Sequence, residues 1–329
     1  MITLVTGGNG FVGRSIVEML LARGDQVRVL GRHRYPELEA LGAQGFQVDL
    51  SVPEVAVGLG TAMAGVEVVF HVAAKAGFWG TFDDYYRNNV TATQRVIRAA
   101  VRAGVPKFVY TSSPSVAIGA EDLEGVDEST PYPEHFLAAY PHTKSLAERF
   151  VLARQDIATT AIRPHLIWGP RDPHIFPRLI ARARRGLLPR IGPGTNKVDI
   201  TYVENVAEAH IQAADALGEH SPLRGRAYFI GQEQPVNLWD FIEKVVTGAG
   251  CPPIRRHISE RSAMGLATVA ELTYARLGLR QEPPLTRFTV TQLTHSHWFD
   301  HSAAQRDFGY GPRISTDEGL RRTLAAMGR

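Results

Sequence analysis

Short apolar runs alternate with longer stretches of helical period through the first half of the chain. Residues 2–6 predict a strand, and after Gly7-Gly8-Asn9-Gly10-Phe11-Val12-Gly13 the positions Phe11, Ile16, Val17, Leu20 and Leu21 recur at helical spacing until Gly24. Further strands are expected over 26–30, 46–50, 66–71, 107–111 and 159–163, with one helix after Pro53 and a long amphipathic one over 82–103. Phe82, Tyr85, Tyr86, Val90, Val96, Ile97, Ala100 and Val101 form the stripe of the long helix, and Gly104 ends it. Its aromatic start reads as core or subunit contact. Such alternation predicts an α/β protein with a doubly wound parallel sheet.

Beyond residue 163 the pattern loosens. Arg178, Arg182, Arg184 and Arg185 mark a helix with a solvated basic face, and residues 198–203, a helix over 204–217 and residues 227–230 read as a return to the main sheet. Residues 232–329 are helical with proline breaks. The segment from Ser262 to Leu279 is amphipathic through Met264, Leu266, Val269, Leu272, Leu277 and Leu279, which suggests core or lid packing, with a membrane-surface helix as the alternative. The division expected is a Rossmann-type core over 1–163, rejoined by 198–231, and a smaller, mostly helical substrate lobe from 164–197 and 232–329.

Composition narrows the function classes. At 329 residues, with 44% hydrophobic and 21% charged positions, the chain has the make-up of an ordinary soluble globular protein and can bury a large core. Thirty-six basic against thirty-three acidic residues leave +3, which reads as too small and scattered for nucleic acid. Cys251 alone excludes an internal disulfide framework and points to a reducing compartment. No charged leader with a cleavage site opens the sequence, and no apolar run nears the ~18–20 residues of a membrane span, so a cytoplasmic location is the expectation.

Candidate chemistry falls on the strand ends. A strand, a glycine turn and a helix make a phosphate cradle, because glycine lets backbone N–H groups approach and the helix start offers positive potential. An NAD binder usually places an acid about 20 residues on, yet here stand Gly31 and Arg32, which suit the 2′-phosphate of NADP; Arg34 could assist or be exposed. Asp49 and Leu50 end the third strand, where an adenine could be bracketed. Ala73-Ala74-Lys75 follows the fourth strand at the edge where such sheets bind ligands. Ser112 and Ser113 follow the fifth, as hydroxyl donors or as turn caps. Tyr140 and Lys144 are four apart, one helical turn, with Pro141 tolerable in the first turn. An ammonium nearby would lower the phenol from about 10, and three units correspond to roughly 4 kcal/mol. The same spacing also occurs as plain helix surface.

Together these segments resemble the extended short-chain dehydrogenase/reductase family, through Thr6 to Gly13, Asn89-Val90, Thr111-Ser112-Ser113 and Tyr140-Pro141-His142-Thr143-Lys144. The resemblance implies a doubly wound NAD(P) domain, a C-terminal substrate lobe and commonly a dimer through two long helices. It implies Tyr140 as catalytic acid/base and Lys144 as the cation that lowers its pKa and bonds the nicotinamide ribose. Ser113 would polarise the substrate, with Ser112 as the fallback. Gly7, Asn9, Gly10, Phe11, Val12, Gly13, Arg32, Asp49, Leu50, Ala73, Ala74, Lys75, Tyr140 and Lys144 would then contact NADP, with backbone from Arg163-Pro164-His165 beside the nicotinamide.

Within the family, Tyr140 to Lys144 and the run from Arg163 to Pro173 resemble the 3β-hydroxysteroid and sterol-4-carboxylate dehydrogenase branch. Ala73-Ala74-Lys75-Ala76-Gly77-Phe78-Trp79-Gly80, Leu166 to Pro170, Pro284-Leu285-Thr286-Arg287-Phe288 and Arg306 to Tyr310 resemble the bacterial 2-alkyl-3-oxoalkanoate reductases of olefin biosynthesis. The implied reaction is NADPH-dependent reduction of a β-keto acid, with 3β-hydroxysteroid oxidation as the alternative. The implied partner is an apolar small molecule bearing a ketone or hydroxyl. A carboxylate would need a cation; Lys75, Arg171 and His174 are candidates, each also readable as surface. Sugar-nucleotide epimerases usually carry Arg where Val198 stands, and non-catalytic NADP sensors typically lack the Tyr and Lys.

Overall fold

The computed structural model describes residues 1–173 and 175–328, excepting the side chains of Glu54 and Ala56. Seven strands, β1 (Ile2–Thr6), β2 (Gln26–Gly31), β3 (Gln44–Gln47), β4 (Val68–His71), β5 (Lys107–Thr111), β6 (Ala158–Pro164) and β7 (Arg226–Ile230), form one sheet in the order β7-β6-β5-β4-β1-β2-β3. Every pair is parallel. The chain runs outward from β1 to β3, then restarts on the other side of β1 at β4. In a doubly wound sheet the ligand cleft lies at that reversal, outside the carboxyl ends of the strands, here β1 and β4.

Successive side chains of a strand point to opposite faces, so both faces of this sheet need cover. Val5 packs with Ile16 and Val17 of helix α1 (Phe11–Ala22), while its neighbour Leu4 faces the other layer. That layer holds Val96 and Ile97 of α2 (Ala92–Arg102) and Ala147 and Val151 of α3 (Ala139–Leu152). Helix α4 (Val203–Ala216) lies beside α1 through Val206, Ala209 and Ala213. The long helix expected over 82–103 is built in three parts, Phe82–Tyr85, a π-helical Tyr86–Thr91, and α2. A π turn carries one extra residue, and such turns gather at functional sites.

Three expectations change in the second half. Residues 198–203 do not rejoin the main sheet. Lys197–Val198 pairs with Val236–Asn237 and His297–Phe299, and Thr201–Tyr202 pairs with Ile167–Trp168. The acidic loop after β5 contains a strand, Leu123–Val126, which pairs with His297–Phe299. Strands of two or three residues carry too little periodicity to show, and the paired segments lie 34 to 174 residues apart. Finally, the helix Ser302–Phe308 packs on the main core rather than on the lobe, where Phe308 meets Tyr228 edge-on and Tyr228 Oη donates to Asp307 at 2.8 Å. The lobe has its own core around Trp168, Phe176, Tyr202, Trp239 and Phe241.

Candidate active site

The cleft begins where β1 turns. Gly7 has φ of 66°, and its N–H donates to Leu30 O while its carbonyl accepts from Gly10 N at 2.8 Å. A Cβ at Gly13 would stand 2.2 Å from Gly7 O, so α1 crosses the turn too closely for any side chain there. Gly10 caps α1 without a side-chain hydrogen bond, and Asn9 Oδ1 is buried with no partner. Uncapped first-turn N–H groups and the helix dipole suit the pyrophosphate of a dinucleotide. Phe11 and Val12 begin that first turn, and Gly7 abuts Ala73, since a Cβ there would lie 2.9 Å from Ala73 Cα.

Arg32 follows the end of β2, exposed, and among the described residues its side chain makes no ion pair. Arg34 pairs with Glu39 at 2.8 Å on the surface. Asp49 accepts from Ser51 N and Oγ at 2.9 and 2.7 Å, and those bonds, with Arg32 and Arg95 nearby, hold its carboxyl below the usual range. Leu50 packs into the core under the sheet and its carbonyl accepts from Arg95 at 2.7 Å.

Below the cleft, a hydrogen-bond relay ties β1 to the π turn. Thr6 Oγ1 accepts from Val72 N and Ala73 N, so its proton goes to His71 Nδ1 at 2.8 Å. His71 Nε2 then donates to Thr93 Oγ1 at 2.9 Å, and Thr93 donates to Asn89 O at 2.5 Å. Burial, with the Lys144 charge adding to it, pushes His71 down to about 3, so it is neutral and this tautomer is fixed. Asn89 completes the link: Oδ1 accepts from Lys75 N at 2.7 Å, and Nδ2 donates to Thr143 Oγ1 at 3.1 Å. Thr143 lies between Tyr140 and Lys144.

Tyr140 enters α3 in its first turn, at the mouth of the cleft. Phe78 and Tyr85 stand edge-on to it at 6.2 and 6.5 Å, and Phe78 contacts Phe288 of the lobe at 4.6 Å. Burial raises the phenol above its ordinary value, and the Ser113 hydroxyl beside it favours the ionised form. Ser113 Oγ also meets Ser115 Oγ at 2.9 Å, whereas Ser112 faces Glu148. Ser113 is therefore the serine at the phenol. Lys144 turns toward the end of β5. Its Nζ donates to Thr111 O at 2.5 Å and lies 4.2 Å from the centre of the Tyr110 ring. Burial pushes it down to about 7, with Glu148 opposing. Desolvation outweighs the attraction that the spacing suggested, so the phenol is raised rather than lowered.

Other expected side chains have partners within the protein. Lys75 Nζ is paired with Asp84 and lies over the Tyr85 ring at 4.8 Å, while Ala74 precedes it at the cleft edge. Arg171 pairs with Glu18 at 2.7 Å, and His174 lies outside the described residues. Arg163 turns inward to Glu148, and His165 Nε2 meets His297 Nδ1 at 2.6 Å, burial holding both imidazoles neutral. Their side chains serve packing at the end of β6. Three contributors escaped the sequence reading: His71, Thr93 and Glu148. Glu148 was findable, since it continues the stripe of Tyr140 and Lys144 at four-residue spacing; the histidine relay had no local signal. Among the described residues no cluster of metal-ligating side chains occurs.

A parallel doubly wound sheet with a glycine turn, a strand-end serine and a helical Tyr-x-x-x-Lys at one cleft defines an extended short-chain dehydrogenase/reductase, a nicotinamide-dependent oxidoreductase acting on CH–OH groups. Residues 4–258 match the 3-beta hydroxysteroid dehydrogenase/isomerase family, and the chain belongs to it. It is 43% identical to the 2-alkyl-3-oxoalkanoate reductase of Stenotrophomonas maltophilia, over 98% of each chain. It is 36% identical to the mouse sterol-4-alpha-carboxylate 3-dehydrogenase, decarboxylating, over 98% of this chain and 90% of that one. The solved structure of MoeE5 in complex with UDP-glucuronic acid and NAD superposes with a TM-score of 0.75 at 27% identity, covering 100% of this chain and 99% of the other.

Proposed function

We propose that this chain is an NADP-dependent reductase of 2-alkyl-3-oxo acids. The observation that carries the chemistry is Tyr140 with Ser113 at its hydroxyl, set in an apolar wall of Phe78, Tyr85 and Phe288. The relative at 43% identity supports the substrate class, and Arg32 at the end of β2, where no acid stands, supports NADPH over NADH.

Bound over the glycine turn, NADPH supplies the hydride that reduces the ketone carbon. Ser113 donates a hydrogen bond to the ketone oxygen and so polarises the carbonyl. Tyr140, kept protonated by its burial, donates the proton that turns that oxygen into a hydroxyl. Lys144, one turn along α3 from Tyr140, donates to Thr111 O and so fixes the helix to the end of β5 beside Ser113. The aromatic wall excludes water and faces the alkyl chains.

A 3β-hydroxysteroid is the second reading. The pairing of Lys75 with Asp84 and of Arg171 with Glu18 favours a substrate without a carboxylate. The test is a spectrophotometric panel with NADPH or NADP and three substrate types: a 2-alkyl-3-oxo acid or its 3-hydroxy form, a 3β-hydroxysteroid, and a UDP-sugar. Turnover on the first alone is expected; turnover on the UDP-sugar alone would overturn both readings. For the cofactor, Arg32→Ala should weaken NADPH by about 10-fold or more, since a charge-assisted bond is worth roughly 1.5–3 kcal/mol, and leave NADH unchanged. A wild-type preference for NADH would remove the 2′-phosphate assignment.

A further inference from the structure

Helix α5 (Glu260–Arg276) does not pack as its amphipathic pattern suggested. Its inward face is small, with Ala263 and Ala267 buried. Leu266, Val269 and Leu272 are 58%, 64% and 66% exposed, and Leu277 just past its end is 66% exposed. At helical spacing these three occupy the middle of the outer face, and Arg261 and Arg276 close its two ends.

The charge around this face is concentrated rather than scattered. Residues 255–287 hold Arg255, Arg256, Arg261, Arg276, Arg280 and Arg287 against Glu260, Glu271 and Glu282. Six against three is +3, which equals the net charge of the whole chain. Two of those acids are already paired, Glu271 with Arg287 and Glu282 with Arg178 of the neighbouring basic helix Ile175–Arg184. Among the described residues Arg255, Arg261, Arg276 and Arg280 are exposed and make no ion pair. Among those residues, too, no helix is long and apolar enough to cross a membrane.

We propose that α5 seats this protein on an anionic lipid surface. Leucine and valine in the middle of an exposed helical face, with arginines at its ends, match the boundary between acyl chains and head groups. Arginine stems lie along the apolar layer while their guanidinium groups reach lipid phosphates. A second copy of the chain fits less well, because a two-fold contact would set one basic face against its own image. The placement connects to the cleft. Trp79 Nε1 donates to Leu279 O at 2.9 Å and its ring meets Tyr274 edge-on, so the end of α5 is tied to the segment whose Phe78 lines Tyr140. An apolar substrate held in the lipid would thus reach the cleft beside its reservoir; that consequence rests on the proposed function, whereas the docking does not.

The experiment is flotation of the full chain with vesicles of phosphatidylcholine alone or mixed equally with phosphatidylglycerol. Wild type is expected to float with the anionic vesicles at least ~10-fold better than with the neutral ones, and to be released by about 0.5 M salt, where screening lengths fall below ~5 Å. The triple variant Leu266→Asn, Val269→Asn, Leu272→Asn should lose that binding by ~10-fold while its circular dichroism is unchanged. If the triple variant misfolds, the pair Arg276→Glu, Arg280→Glu should show the same loss. Equal flotation with both vesicle types, or undiminished flotation of a folded variant, overturns the proposal. So does a sedimentation shift from dimer to monomer in the triple variant, which would make the face a subunit contact.

Discussion

Arg163 donates to both oxygens of Glu148, from Nε at 2.9 Å and from Nη2 at 2.6 Å, with both side chains almost wholly buried. Tyr132 Oη adds a third bond, to Oε1 at 2.7 Å. Glu148 stands one turn beyond Lys144 on α3, so this pair joins β6 to the helix that carries the site. Removing one partner leaves an uncompensated buried charge. Arg163→Ala should cost about 3–5 kcal/mol, read by chemical unfolding, and a Glu148→Met, Arg163→Met double variant should cost less than Arg163→Ala.

The same pair sets an acid limit on stability. The Arg163 charge and hydrogen bonds, working against burial, hold Glu148 below its ordinary value. A depressed carboxyl contributes stability that is present above the unfolded value near 4.3 and is lost as pH falls through the folded one. Wild type should therefore lose stability below about pH 4.3 more steeply than Glu148→Gln, measured as unfolding midpoint against pH.

Tyr140→Phe removes the proton donor and leaves the ring contacts. Cofactor binding, followed by fluorescence titration, should be retained within a few-fold, while turnover falls by about 10²–10⁴. Because burial raises the wild-type phenol, loss of its proton should slow ketone reduction in strongly alkaline solution, above the ordinary phenol value of about 10.

Lys144→Met tests the cost of burying an ammonium. Burial pushes Lys144 down to about 7, so the unfolded chain holds more protons than the folded one between about 7 and 10. Stability from this group then rises with pH across that window. The stability of wild type relative to Lys144→Met should climb from pH 7 to pH 10, and turnover of the variant should fall at every pH. A flat stability difference would show that the ammonium is not desolvated.

Gly13→Ala places a methyl 2.2 Å from a backbone oxygen that cannot swing aside. The start of α1 must shift, and nicotinamide binding should weaken by about 10-fold or more with a smaller effect on the fold of the lobe, read by the same fluorescence titration.

Local pattern accounts for much of this protein. Five-residue β runs and the helices between them name the sheet because each element spans at least one full period. The glycine turn, Ser113 and Tyr140 are legible because their chemistry depends on neighbours a few residues away. Leu123–Val126 and the paired strands of the lobe were not: the first sets Glu124 and Gly125 side by side between its apolar ends, and the others are only two or three residues long. Nor was α5: its sequence shows an apolar stripe, and burial decides whether such a stripe faces a core or the outside.

The sequence by itself determined the alternating α/β order, the phosphate cradle and the spacing of Tyr140 and Lys144, all of which follow from short-range geometry. Only the tertiary structure decided that Lys144 turns to Thr111, that Lys75 is neutralised by Asp84, and that His71 joins Thr6 to Thr93. Those outcomes turn on desolvation and on partners brought together from distant strands, and neither quantity is written in the order of residues along the chain.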